Sequence, residues 1–84
     1  MISKTIEKAL DAWEYCIMLN GRTDFAVNDL LEDICKKYNK KYLSYHEDGD
    51  DDPIYHTICN LTSAQRREFI KGAYAIAEKE GGAK

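Results

Sequence analysis

The sequence is poor in the residues that break, staple or catalyse. Its 84 residues hold one proline and five glycines with no repeated period, which excludes collagen-like, low-complexity and coiled-coil-only architectures. No apolar run approaches the roughly 18 residues of a membrane span, and no charged, apolar, small-residue series marks a signal peptide. Cysteine is scarce and odd in number: Cys16, Cys35 and Cys59 lie far apart with no C-x-x-C pair. A stapled secreted domain carries an even set, and zinc ribbons and thioredoxin-type sites need the paired motif. The three read as reduced thiols acting as small core hydrophobes, which makes the cytoplasm the expected compartment. There is no G-x-S-x-G, no glycine-rich phosphate loop and no H-E-x-x-H. His56 and Cys59, three apart on a helical face, are the only nearby base and nucleophile, and no evident third group orients them. The expectation is a non-enzymatic protein without a cofactor.

What is present is helical patterning, expected to form a single domain over 1–84. From Ser3 to Asn20 the apolar residues Ile6, Leu10, Trp13 and Ile17 recur at three- and four-residue spacing, with Ala9 and Cys16 beside them. Ser3 fits an N-cap, and Gly21 fits the left-handed residue that ends a helix. Glu7, Asp11 and Glu14 form the opposite, acidic face. Tyr15, Met18 and Leu19 add a second apolar face, suited to a central helix or a subunit contact.

A second helix begins at Asp24 or Asn28, either of which can cap it. Its expected core positions are Val27, Leu31, Ile34, Tyr38, Tyr42 and Tyr45, with Leu30 and Cys35 alongside. Acids (Asp29, Glu32, Asp33) lie near its start and Lys36, Lys37, Lys40 and Lys41 near its end. That order complements the helix dipole, with Glu32–Lys36 and Asp33–Lys37 as favourable i,i+4 pairs. After a loop, Asp52-Pro53 reads as an N-cap and a proline in the first turn, opening a short helix through Ile54, Tyr55, Ile58 and Cys59. Thr62-Ser-Ala-Gln65 has the form of a capping box. It opens a last helix that buries Phe69, Ile70, Ala73, Tyr74, Ile76 and Ala77, runs to about Glu80 and stops at Gly81-Gly82. Gly72 inside it, with Ala73 and Ala75, suits a close helix approach. No stretch alternates with a period of two. The expected fold is all-α, a compact bundle of three long helices and one short helix.

The net charge of −3 conceals a separation. Five of the 15 acids, Glu47, Asp48, Asp50, Asp51 and Asp52, lie within six residues; the remaining ten acids face 12 bases, so the rest of the chain carries +2. Asp48, Asp50 and Asp52 match the first, third and fifth positions of an EF-hand loop. The match then fails, because the sharp-turn glycine is Pro53 and the bidentate glutamate is Cys59. His46 and His56 flank the loop without a ligand pattern for a transition metal. Three readings stay open: a weak, unspecific cation site, a solvated turn whose aspartates cap the short helix, or a binding element in which negative charge steers a partner and Tyr55 anchors it.

The string from His46 through Asp48-Gly49 to Asp52-Pro-Ile-Tyr55-His56 resembles the loop and short third helix of nuclease-bacteriocin (colicin-type) immunity proteins, acidic four-helix inhibitors of a basic nuclease domain. The resemblance spans residues 46–56. It implies contact with a nuclease through Asp52 and Tyr55, with His56 in place of the family's second tyrosine. The four lysines that end the second helix depart from the acidic face of that family.

A rival class rests on Lys36-Lys-Tyr-Asn-Lys-Lys-Tyr42. Lysines interleaved with aromatics can follow a phosphate backbone and stack bases, and Arg66, Arg67 and Lys71 would enlarge that basic surface if they lay beside it. Tyr38, Tyr42 and Tyr45, however, continue the apolar stripe, and the acidic loop that follows repels phosphate. The expected function is therefore a protein-binding module, a small inhibitor of immunity or phage anti-defence type. It would occlude a basic surface of a nuclease or nucleic-acid-handling complex through Glu47–Asp52, Tyr55 and the Glu7, Asp11, Glu14 face. The alternatives are nucleic-acid binding through Lys36, Lys37, Lys40 and Lys41, and a homo-oligomer built on Tyr15, Met18 and Leu19.

Overall fold

A computed structural model of the chain describes residues 4–19, 23–43 and 52–79. They form four helices, α1 (Lys4–Met18), α2 (Thr23–Lys37), α3 (Asp52–Asn60) and α4 (Ser63–Ala77), and no strand occurs among the described residues. Three helices have 15 residues and α3 has nine.

The helix ends follow local chemistry where a side chain can satisfy an orphan backbone group. Thr62 caps α4: Gln65 N–H donates to Thr62 Oγ1 at 3.2 Å, and Thr62 N–H donates to Gln65 Oε1 at 3.0 Å. This is the reciprocal box that the T-x-x-Q spacing predicts. Pro53 sits in the first turn of α3, where no backbone N–H is required of it. Helix α2 starts at Thr23, ahead of both expected caps. Asn28 is an interior residue instead, and its Oδ1 accepts the indole N–H of buried Trp13 at 2.9 Å. A buried indole requires such an acceptor, and that pairing joins α1 to α2.

The far end of α2 departs from the apolar pattern. The helix stops at Lys37, two turns before Tyr45, because Asn39 adopts a left-handed conformation with φ 58°. Asn39 N–H donates to Lys36 O at 3.3 Å and Lys40 N–H donates to Cys35 O at 2.7 Å. These are the two bonds of a Schellman C-cap, with asparagine as the residue that tolerates positive φ. Tyr42 still packs on the core, but from the irregular segment after the helix. Ser3, Gly21, Tyr45 and Gly81-Gly82 lie outside the described residues.

Small side chains set the seam between α1 and α4. Ala9, Ala12 and Cys16 of α1 and Ala73 and Ala77 of α4 are buried, and the Cys16 thiol donates to Ala73 O at 3.2 Å. Burial raises the pKa of this thiol and, with the nearby Glu32 carboxylate as the lesser cause, that of Cys35. Thr5 meets Arg66 and Tyr15 meets Tyr74, so contacts advance together and the two helices run the same way. Helix α2 runs opposite to α4, with Lys37 near Glu68 and Leu30 against Gly72. A Cβ built on Gly72 would stand 2.7 Å from Leu30 Cδ2, so glycine does permit a close approach there. Phe69, Leu31, Ile54 and Ile58 fill the space between the helices with no exposed surface.

Two buried polar residues fasten the shorter pieces. Thr57 Oγ1 accepts Leu43 N–H at 2.9 Å and donates to Pro53 O at 2.8 Å, which pins the segment after α2 to α3. Arg66, placed by the sequence among surface cations, is only 8% exposed. Its Nε donates to Ile58 O at 3.0 Å, Nη2 to Cys59 O at 3.4 Å and Nη1 to Thr5 Oγ1 at 2.8 Å. The cation thus closes the carbonyl end of α3, where the helix dipole favours positive charge, and reaches α1 from α4.

Arg66→Leu is expected to destabilise the fold by about 1–3 kcal/mol, because buried carbonyls lose their donors. Urea unfolding measures this, and a wild-type midpoint would contradict the role assigned to Arg66. At Gly72, alanine needs only a Leu30 methyl end to move, and it gains about 1 kcal/mol of helix propensity. Gly72→Ala should therefore leave stability nearly unchanged, whereas the branched Gly72→Val should cost about 1–3 kcal/mol through overpacking.

Candidate functional site

The residues singled out from the sequence fall into three places. Glu47, Asp48, Asp50 and Asp51 lie outside the described residues, as does the side chain of Asp52, whose backbone opens α3. Tyr55, on α3, is half-buried and meets the His56 ring edge-on at 5.6 Å. Its pKa is raised, chiefly by hydrogen bonding to the Cys59 thiol one turn later. Cys59 is half-buried, unlike the fully buried Cys16 and Cys35. His56 is exposed and makes no hydrogen bond to Cys59 among the described residues. No group of three or more His, Cys, Asp or Glu that could hold a metal ion occurs among the described residues.

On α1, Glu7, Asp11 and Glu14 are all exposed. Their four- and three-residue steps form a stripe along the outer face, and one turn further Met18 is 79% exposed. Beside the stripe Tyr15 is 45% exposed and its ring lies 5.8 Å from that of Tyr74 on α4. These two rings, with Ala77 and Glu78, line a shallow cleft of about 260 Å³. The second apolar face of α1 expected from the sequence therefore holds for Tyr15 and Met18. Leu19 instead packs on the core. Phe25 on α2, which the sequence reading passed over, is strongly exposed. Its signal was an aromatic in the first turn of α2, outside the stripe of Val27, Leu31 and Ile34.

The lysine cluster is divided. Lys36 pairs with Glu32 at 3.7 Å, the i,i+4 bridge read from the sequence. Lys37 pairs not with Asp33 but with Glu68 of α4 at 3.0 Å. Glu68 Oε1 also accepts the Tyr38 hydroxyl at 2.6 Å, and the Lys37 ammonium stands 5.2 Å from the centre of the Tyr38 ring. Tertiary packing brings a carboxylate able to take two donors, which outweighs an exposed intrahelical pair worth a few tenths of a kcal/mol. Lys40 and Lys41 lie beyond the Asn39 turn, Lys40 half-buried and Lys41 exposed, so the four lysines share no helical face. Tyr38 and Tyr42 pack against the core, and burial raises the pKa of Tyr42.

A larger cleft of about 400 Å³ lies in the same α1–α4 groove, lined by Thr5, Lys8, Arg67, Ile70 and Lys71. Lys8 was missed in the sequence because it stands alone between Glu7 and the core residue Ala9. The Arg67–Lys71 spacing of four marked one helical face, but nothing local showed that α1 would supply a third cation to it.

Compared with known protein families, curated proteins and solved structures, the chain has no significant match.

The hydrogen bond from Tyr38, and then that from Lys37, hold the Glu68 carboxyl below its ordinary value of 4.5. A depressed carboxyl pKa contributes stability above the unfolded-state value, and that contribution is lost as pH falls through the folded-state value. Glu68→Gln should therefore be less stable than wild type at neutral pH, and the gap should close on acidification. Unfolding curves at neutral and strongly acidic pH test this, and a gap independent of pH would overturn it.

Proposed function

We propose that this chain is a non-enzymatic protein-binding module, a small inhibitor of immunity or anti-defence type that covers a basic surface on a nuclease or nucleic-acid-handling complex. A compact bundle of three long helices and one short one is the scaffold of this proposal. The observation that carries it is the outer face of α1, where the exposed carboxylates of Glu7, Asp11 and Glu14 lead to exposed Met18 beside the Tyr15–Tyr74 ring pair. Carboxylates raise the encounter rate with a basic surface, while aromatic and thioether side chains supply the desolvated contact that slows dissociation. Glu47, Asp48, Asp50, Asp51 and Asp52 would add to the same negative potential. Tyr55 is the contact that resemblance to the colicin-type immunity proteins assigns to the short helix.

Nucleic-acid binding through Lys36, Lys37, Lys40 and Lys41 has less behind it. Lys36 and Lys37 are each held by a carboxylate, and the Tyr38 hydroxyl is occupied by Glu68. A second copy of this chain is the competing occupant of the apolar positions, since Met18 and Phe25 are 79% and 72% exposed.

The test compares proteins recovered from the native cell by wild type, by Glu7→Lys/Asp11→Lys/Glu14→Lys and by Tyr15→Ala/Tyr74→Ala, with helicity checked by circular dichroism. Against the recovered partner, the charge reversal should slow association by about tenfold or more, in a salt-dependent way. The tyrosine change should speed dissociation instead. Unaltered binding in both variants removes this face from the function, and a concentration-dependent dimer in sedimentation equilibrium assigns it to self-association.

A further inference from the structure

The α1–α4 cleft lined by Thr5, Lys8, Arg67, Ile70 and Lys71 gathers positive charge in a chain whose net charge is −3. Lys8 comes from α1, while Arg67 and Lys71 stand one turn apart on α4. The ion pairs among the described residues, Lys36–Glu32 and Lys37–Glu68, involve none of the three. Beneath them lies a fourth cation. Arg66 is 8% exposed, and among the described residues its guanidinium donates to neutral acceptors, the carbonyls of Ile58 and Cys59 and the Thr5 hydroxyl. Thr5 is itself a wall of the cleft, so the buried charge sits one hydrogen bond of 2.8 Å behind that wall. A charge screened little by water projects its field into the cleft.

We propose that this cleft binds a small phosphorylated ligand, with Arg67, Lys8 and Lys71 holding a phosphate or pyrophosphate group and Ile70 packing against the rest of the molecule. A volume of about 400 Å³ fits a small molecule. Several cations converging on one cleft suit an anion with several charges on neighbouring atoms, which phosphate groups supply and a single carboxylate does not. A guanidinium adds paired donors that match two phosphate oxygens. An extended nucleic-acid strand fits less well, because Glu7 and Asp11 flank Lys8 on α1 and Glu78 stands at the other cleft of the groove. This site adjoins the face assigned to protein binding but uses none of its side chains, and it stands or falls independently of that assignment.

Isothermal titration at low salt with inorganic pyrophosphate, a nucleoside triphosphate, and short and long single-stranded oligonucleotides tests the proposal. Saturable one-to-one binding of pyrophosphate or the triphosphate is expected. It should weaken by about tenfold or more in Arg67→Gln/Lys71→Gln and stay unchanged in Lys40→Gln/Lys41→Gln, with both variants folded by circular dichroism. Absence of saturable binding, or equal weakening in both variants, overturns the assignment. Affinity that is highest for oligonucleotides and grows with strand length also overturns it, in favour of a nucleic-acid surface.

Discussion

The buried Arg66 guanidinium is the contact on which the arrangement of helices depends. From one position on α4 it closes the carbonyl end of α3 and bonds the Thr5 hydroxyl on α1. A nine-residue helix is too short to be stable by itself, so its carbonyl end needs a donor and its apolar face needs a core. Arg66 provides the first, while Ile54 and Ile58, both fully buried, meet the second. The cost of burying a cation that has no carboxylate partner among the described residues is offset by carbonyl dipoles aligned at the end of a helix. The seam of alanines and Cys16 between α1 and α4 acts with it, because only small side chains bring Thr5 within reach of Arg66.

The polar groups divide into anchors and free charge. Thr57 and Glu68 each take two partners and fix a long-range contact: Thr57 holds the segment after α2 against α3, and Glu68 holds the end of α2 against α4. No buried side-chain nitrogen or oxygen among the described residues lacks a hydrogen-bond partner. Among the exposed charges, Glu7, Asp11 and Glu14 run along the outer face of α1, while Lys8, Arg67 and Lys71 line a cleft in the α1–α4 groove. Helix α1 contributes to both, because residues three and four apart share a face while adjacent residues such as Glu7 and Lys8 point about 100° apart.

Much of the helical character was legible from residues within a turn of one another. The Thr62–Gln65 box, Pro53 in the first turn of α3, and the buried positions Val27, Leu31, Ile34, Phe69 and Ala73 all rest on local spacing. The end of α2 was misjudged because Tyr42 and Tyr45 continue the apolar pattern. Asn39 carried the stop signal, but asparagine permits a left-handed turn without requiring one. The candidate site was less legible. Its acidic α1 stripe could be read directly, whereas the Tyr15–Tyr74 pair and the Lys8–Arg67–Lys71 cleft join positions about 60 residues apart.

The sequence by itself determined the helical class, the Thr62–Gln65 capping box and the main apolar stripe of each helix, since these depend on backbone propensity and on neighbours three or four residues away. Only the tertiary structure decided the long-range partners. It buried Arg66 and left Arg67 exposed, turned Lys37 from Asp33 to Glu68, and packed Leu19 against the core while Met18 faces solvent. The reason is energetic: a local ion pair or an exposed methyl group is worth a few tenths of a kcal/mol to about one. Whole-helix packing is worth far more, so it overrides local preference wherever the two differ.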